Sequence, residues 1–266
     1  MRTIAIFGAA GRMGQTITKC AVRSGKYKVV AAIEQEGHPA IGRDAGEFCG
    51  AGKTGTEITA DADRIVTAEV VIDFSIHSAV PSHIQTALKH RKPFVLGTTG
   101  LTAEEESLVK HASSLIPVVY APNMSLGINL LLALIKRAGR VLGTDYRVEI
   151  HETHHVHKKD APSGTALKLA QKIAEARGRE LKDIMVHNPP DSVSSELDSM
   201  IVVRSQRIGE VVGDHTVIFE NSGERIEFSH HAKTREAFAL GALYAAEWVV
   251  NQKAGLYDMQ DVLGIS

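Results

Sequence analysis

Cysteine is nearly missing from this chain of 266 residues: Cys20 and Cys49 are the only two, with no CxxC or other metal-ligand spacing around them. Two thiols cannot build a disulfide framework, and such sparing use fits a reducing compartment. An excess of charge of either sign is missing too, since 30 basic and 31 acidic residues leave a net charge of -1. Without a global field the chain does not read as a nucleic-acid binder or a ligand for anionic membranes, so any recognition of anions has to be local. No apolar run is long enough to span a bilayer. The most apolar stretch, Leu126–Leu142, is interrupted by Lys136, Arg137 and Arg140, and reads as a buried amphipathic helix. The first residues pass from one arginine directly into a short strand, without the apolar segment and cleavage site of a signal peptide, and the expected location is the cytoplasm. Internal repeats and low-complexity linkers are absent as well. What remains is an apolar content of 44%, enough for a sizeable core in one large or two ordinary domains.

The first motif opens the chain. Thr3–Phe7 reads as a strand buried on both faces, Gly8-Ala9-Ala10-Gly11-Arg12-Met13-Gly14 follows at once, a helix is expected over Arg12–Ser24, and Lys28–Glu34 forms a second strand ending in a carboxylate. In such a βαβ unit the glycines let the backbone turn tightly against a pyrophosphate, the helix N-terminus holds its charge, and Glu34 stands where an acid takes ribose hydroxyls. The spacing is Gly-x-x-Gly-x-x-Gly, and an ordinary tight turn has the same composition, but strand, helix, strand and acid all occur in order. Gly50-Ala51-Gly52-Lys53-Thr54-Gly55 looks like a phosphate loop, yet it lacks a glycine five residues before Gly52 and a preceding strand. Residues 35–56 are therefore expected to be a surface loop.

Strand and helix then alternate: Val70–Phe74, a helix over Ser78–His90, Pro93–Gly97, a helix over Ala103–Ser113, and Pro117–Ala121. This pattern predicts a doubly wound parallel sheet, whose ligands lie beyond the carboxyl ends of its strands. The residues standing there include Gly97-Thr98-Thr99 and Ala121-Pro122-Asn123-Met124, small and polar enough for a flat nicotinamide, although Ser, Thr and Asn are also common turn and capping residues. After the Leu126–Leu142 helix the pattern turns to strands, at Asp145–Glu152, Met200–Ser205, Glu210–Gly213, and a hairpin of His215–Glu220 with Arg225–Ser229. One helix, Ala166–Ala176, interrupts them. A second domain of α+β type with a mostly antiparallel sheet is expected over 126–234. The helical segment Thr234–Gln252 then returns to the first domain, which comprises 1–125 and 235–266. A hinge is expected near Asn123–Gly127 and Thr234–Glu236.

The stretch that carries chemistry is HETHHVHKKDAPSGT, His151 to Thr165, where four of the thirteen histidines fall within seven residues and are followed by Lys158 and Lys159. A metal site, a solvated loop and an acid or anion-binding site are the three readings of such a cluster. Adjacent lysines repel a cation, and the Pro-Ser-Gly-Thr turn opens a helix whose first N–H groups attract anions, so the third reading is preferred and no metal is expected.

With GAAGRMG, DAGEFCGAGKTG, GTTG, APNMSLGIN, ETHHVHKKDAPSGTA and the closing GLYDMQDVL in view, the chain resembles, nearly end to end, the 4-hydroxy-tetrahydrodipicolinate reductase (dihydrodipicolinate reductase) family. The resemblance implies a Rossmann-like domain and hydride transfer from NADH or NADPH to a small cyclic dicarboxylate, in lysine biosynthesis through diaminopimelate. It also implies that His154 is the acid/base, that Lys158 is proton donor and carboxylate partner, and that His155, Ser163, Gly164, Thr165 and Thr99 contact the substrate. The cofactor would touch Gly8, Ala9, Ala10, Gly11, Arg12, Met13, Glu34, Gly97, Thr98, Thr99, Ala121, Pro122, Asn123 and Met124, and the assembly would be a homotetramer built through the second-domain sheet. Many members that use both cofactors carry an arginine directly after the acid; here Gln35 stands there, which predicts a preference for NADH. Phosphorylating semialdehyde dehydrogenases share the two-domain plan but need a cysteine nucleophile, and neither cysteine lies in the second domain. A non-catalytic dinucleotide sensor remains the other alternative; it would have no use for an imidazole and an ammonium beside an anion site.

Overall fold

The computed structural model describes residues 1–190 and 199–265. The chain forms two compact units, Met1–Leu126 with Arg235–Gly264, and Gly127–Thr234.

The first unit begins with β1 (Arg2–Phe7), α1 (Arg12–Ser24) and β2 (Tyr27–Ile33), followed by α2 (Ala45–Cys49), β3 (Ile58–Thr59), β4 (Val70–Asp73), α3 (Val80–Lys89), β5 (Phe94–Leu96), α4 (Ala103–Ser113) and β6 (Pro117–Tyr120). Ile4, Ala5, Ile6 and Phe7 are all fully buried, as expected for a strand covered on both faces. Each large side chain so buried contributes roughly 1.5–3 kcal/mol. The strands lie parallel in the order β6-β5-β4-β1-β2-β3. Residues 35–56 are more ordered than the expected surface loop: Asp44 caps the five-residue α2. The same carboxylate accepts from the N–H groups of Thr54 and Gly55, so the glycine-rich stretch is wound around one acid.

The second unit carries α5 (Leu126–Leu142, its first residue counted with the first unit), β7 (Arg147–His154), α6 (Gly164–Ala176), α7 (Leu181–Ile184), β8 (Met185–His187), β9 (Ile201–Arg207), β10 (Asp214–Glu220) and β11 (Arg225–His231). Its sheet runs β11-β10-β7-β9-β8. β10 is antiparallel to both β7 and β11, the expected hairpin, whereas β9 and β8 join in parallel. One correction concerns Glu210–Gly213, expected as a strand: Gly209, whose φ of 48° is left-handed, and Glu210 form a turn, and 211–213 are irregular. A second concerns α7 and β8, which the expected single helix of this region did not include.

The chain then returns through α8 (Glu236–Val249), β12 (Gly255–Tyr257) and α9 (Met259–Leu263) to complete the first unit. β12 pairs parallel with β6 as the seventh strand. α8 contributes Ala239, Ala242, Leu243, Ala245 and Ala246 to the core beside Ile4, Ile6 and Val95. It approaches so closely that a Cβ at Gly241 would lie 1.7 Å from the Met124 carbonyl oxygen.

Candidate functional site

Two constellations stand out, one in each unit. In the first, β1 is followed by Gly8 with φ +71°, and a Cβ there would press within 3.1 Å of the Phe74 carbonyl oxygen. A Cβ at Gly14 would collide with the Gly8 carbonyl oxygen at 2.2 Å. Both glycines are therefore required for the turn and for α1 to start so near the sheet. The N–H of Gly11 closes the turn on the Gly8 carbonyl (3.0 Å), and Gly11 caps α1 without a side-chain acceptor. The Ala10 N–H donates to Glu34 Oε2 at 2.9 Å, so the acid at the end of β2 braces the glycine turn as well as facing the adjacent cavity. That cavity, about 440 Å³, is lined by Gly8, Gly11, Glu34, Gln35, Ser75 and His83 among others. Arg12 is exposed at the first turn of α1, Met13 is half-buried, and Ala9 is buried.

Gly97–Thr99 and Ala121–Met124 follow β5 and β6 on the same carboxyl edge of the sheet without lining this cavity. Gly97 is fixed by packing, since a Cβ would meet the Phe74 ring at 2.2 Å. Thr98 is buried and donates its hydroxyl to the Ser75 carbonyl at 3.2 Å, while Thr99 and Pro122 are exposed. Asn123 Oδ1 accepts from the Ser125 N–H at 2.9 Å, and Met124 is 1% exposed beneath Gly241. Beside the cavity, the fully buried Asp73 carboxylate meets His83 Nδ1 at 2.9 Å, and the His83 ring stacks on Phe7. The sequence reading did not single out that pair.

The second constellation follows from strand alternation. On β7, Val148, Ile150, Glu152 and His154 share the face covered by α5 and α6. In register beside them stand Phe219 and Ile201, then Val217 and Val203, and then His215 and Ser205 with Glu152; Arg207 stands beside His154. Two apolar rows thus give way to polar rows at the end of the covered face, where α6 begins at Ser163. The Ser163 hydroxyl accepts from the Ala166 N–H (3.2 Å) as helix cap and lies 3.2 Å from His215 Nε2.

Glu152 is 1% exposed, yet it is held ionised. Burial pushes its carboxyl up, but hydrogen bonds from His154, Ser205 and Arg207 outweigh that and bring it down to about 2. One oxygen meets His154 Nδ1; the other accepts from Arg207 Nη1 and Nη2, each at 3.0 Å, and from the Ser163 N–H at 3.3 Å. An ionised carboxylate only accepts, so His154 Nδ1 carries the proton and Nε2 is left as the exchanging atom. Gly213 leaves room there, because a Cβ would stand 3.0 Å from Nε2. His215, edge-on to His154 with ring centroids 5.1 Å apart, is pushed down to about 3 by burial and by the charge of His154. It stays neutral across the physiological range.

Of the four clustered histidines only His154 enters this network. His151 lies on the opposite face beside Glu149 (2.9 Å), and exposed His157 lies 3.7 Å from Glu210. His155 is half-buried, its ring centroid 6.1 Å from that of His157. Lys158 Nζ pairs with Asp160 Oδ1 at 2.8 Å. Gly164 is exposed and Thr165 half-buried at the first turn of α6. Ligand-type atoms of Glu152, His154 and His215 lie within 4.8 Å of one another, the single such group among the described residues. With a guanidinium on the carboxylate and the Nδ1 proton pointing at it, the donor set fits a hydrogen-bonded ion pair, not a cation.

Residues 2–124 match the family described as "Dihydrodipicolinate reductase, N-terminus", and residues 127–263 match "Dihydrodipicolinate reductase, C-terminus". The chain is 44% identical over 260 residues to a 4-hydroxy-tetrahydrodipicolinate reductase of Syntrophus aciditrophicus, with 97% of each chain covered. It is 43% identical over 267 residues to the enzyme of that name from Pseudomonas fluorescens, with 100% of each covered. Among solved structures, a dipicolinate-bound dihydrodipicolinate reductase from Paenisporosarcina sp. TG-14 shares the fold with a TM-score of 0.76 at 23% identity, with 98% of each chain covered.

Proposed function

The chain belongs to the dihydrodipicolinate reductase family, and from that premise we propose that it transfers hydride from NADH or NADPH to 4-hydroxy-tetrahydrodipicolinate, or to the cyclic imine formed from it by loss of water. The product is tetrahydrodipicolinate, in lysine biosynthesis through diaminopimelate. The observation that carries this reading is the Glu152-backed imidazole of His154 in a loop that also bears Lys158 and the start of α6.

The residues present fit a dinucleotide. The turn at Gly8 and Gly11 borders a cavity of about 440 Å³ that also presents Glu34. In this reading Gly8 to Met13 and Glu34 hold the nucleotide, while Gly97 to Thr99 and Ala121 to Met124 hold the nicotinamide end, which supplies the hydride. His154 takes up a proton at Nε2 before hydride transfer, keeping its Nδ1 proton on Glu152, and donates the Nε2 proton to neutralise the charge left by hydride addition. Lys158 leaves Asp160 for a substrate carboxylate and is the second proton source. His155, Ser163, Gly164 and Thr165 are read as contacts of the dicarboxylate, with the start of α6 supplying a positive helix end.

The proposal extends to an NADH preference, because Gln35 and Glu36 follow Glu34 and supply no cation for a 2′-phosphate. It extends to a cytoplasmic homotetramer acting on a small molecule, without a nucleic-acid or membrane partner. The sheet supports assembly: outer strand β11 alternates between exposed and half-buried residues, with none buried. Among the described residues no helix is long and apolar enough to cross a membrane.

The test is a steady-state assay of NADH and NADPH oxidation with the freshly made product of the preceding pathway step. Wild type is expected to turn over, and His154→Ala and Lys158→Ala to lose roughly 10²- to 10⁴-fold in kcat. A folded wild-type protein that binds a dinucleotide but oxidises neither would sink the reading and leave a sensor.

A further inference from the structure

The proposed chemistry uses an imidazole and an ammonium, and a third side chain touches the supports of both. Arg207 ends β9 directly beside His154 in the parallel register. Its Nη1 and Nη2 donate to Glu152 Oε1, the carboxylate that holds His154 Nδ1. Its Nε donates to the Lys158 carbonyl at 3.3 Å and Nη2 to the Asp160 carbonyl. A further bond from Nη1 reaches the Gln206 carbonyl at 2.6 Å. One planar guanidinium therefore spans four acceptors: a buried carboxylate, two carbonyls of the loop that presents Lys158, and its own strand end. The next turn ties the same loop to the sheet through Ile208 N–H to the His154 carbonyl (2.8 Å) and Val156 N–H to the Gly209 carbonyl (3.1 Å).

We propose that Arg207 is a positioning residue that sets His154 and Lys158 together. It aims the Glu152 carboxylate so that the His154 proton stays on Nδ1, and it fixes the backbone of residues 158–160 from which the ammonium projects. Charge alone does not meet this requirement. A lysine supplies three donors from one point and cannot bridge carboxylate and loop carbonyls in one plane, so Arg207→Lys keeps the charge and loses the geometry. The catalytic consequence rests on the reductase reading; the effect on His154 does not.

The experiment combines kinetics with a measurement that needs no substrate. In protein carrying ¹⁵N-histidine, long-range ¹H–¹⁵N spectra, assigned with His154→Asn, are expected to show His154 as the single Nδ1–H tautomer in the wild type and as a mixture in Arg207→Lys. Glu152→Gln, close in shape and uncharged, provides the second variant, because its amide can donate to Nδ1 and move the proton to Nε2. In the assay, Arg207→Lys is expected to lose roughly 10- to 100-fold in kcat, the scale of a misplaced reacting group, with KM for NADH within about twofold of wild type. If His154 keeps the Nδ1–H tautomer in Arg207→Lys, whatever Glu152→Gln does, or kcat of Arg207→Lys equals that of wild type, the proposal is overturned. Absence of turnover by the wild type would defeat the reductase reading alone, and the spectra would still decide the role of Arg207.

Discussion

Glu152 and His215 stand opposite each other on β7 and β10, and burial acts on them with opposite outcomes. The acid keeps its charge because hydrogen bonds from His154, Ser205 and Arg207 outweigh its burial; the imidazole gives up its charge because burial, joined by the charge of His154, outweighs the pull of Glu152.

This arrangement sets an acid limb of stability. In the unfolded chain His215 takes up a proton near pH 6.5, while in the folded chain it does so only near pH 3. Between those values the unfolded state binds more protons, so the contribution is fully present above about pH 6.5 and is lost progressively as pH falls toward 3, at up to about 1.4 kcal/mol per pH unit. Urea unfolding at pH 7 and pH 5 is expected to show a smaller loss for His215→Asn than for wild type. Parallel losses would mean that His215 is not buried as a neutral ring.

Asp44 provides a second acid-sensitive point. Burial raises its carboxyl, but the N–H groups of Glu47, Thr54 and Gly55 outweigh this and lower it to about 2. Its contribution is present above about pH 3.8 and is lost as pH falls through about 2. Asp44→Ala removes a helix cap and the acceptor around which residues 44–55 wind, and is expected to cost about 0.5–2 kcal/mol or more at pH 7. Thermal unfolding measures it; an unchanged Tm would show that the loop holds its form without the acid.

Gly241→Ala sets two effects against each other. Alanine favours a helix by about 1 kcal/mol over glycine. A Cβ 1.7 Å from the Met124 carbonyl oxygen forces backbone apart, with a cost of roughly 1–3 kcal/mol or more. The steric effect wins, so the variant is expected to melt lower. Because Met124 follows β6 in the segment proposed to hold the nicotinamide end, the KM of the variant for NADH is also expected to rise. A higher Tm would show that α8 shifts aside easily.

Gln35→Arg tests the nucleotide preference. An arginine beside Glu34 offers a charged donor to a 2′-phosphate, worth about 1.5–3 kcal/mol. NADPH efficiency is expected to rise roughly 10- to 100-fold while NADH efficiency changes little. Equal efficiency of the wild type with both cofactors would contradict the preference from the outset.

Much of the fold was legible because it depends on local periodicity. α1, α4 and α5 lie over the residues expected, and the glycine turn sits between β1 and α1. The short elements were not: α2 has five residues and α7 four, too few for a helical period, and α2 is defined by the Asp44 carboxylate. Glu210–Gly213 has strand-like composition, but Gly209 turns the chain before it. At the candidate site, the cluster from His151 to Thr165 stood out by density of titratable groups, and the family resemblance singled out His154 and Lys158 within it. Glu152, Arg207 and His215 were not singled out, since their meeting depends on pairing strands more than fifty residues apart. The alternation Val148, Ile150, Glu152, His154 was the signal available: a carboxylate where strand periodicity calls for a core residue.

The discontinuity of the first unit reaches back to how the polypeptide acquires its shape. Residues 127–234 are synthesised before α8, β12 and α9, so the first unit gains its seventh strand and the α8 side of its core only from the last segments to be translated. Until α8 has been made, Ile4, Ile6 and Val95 lack the alanine-rich helix that packs with them in the finished protein.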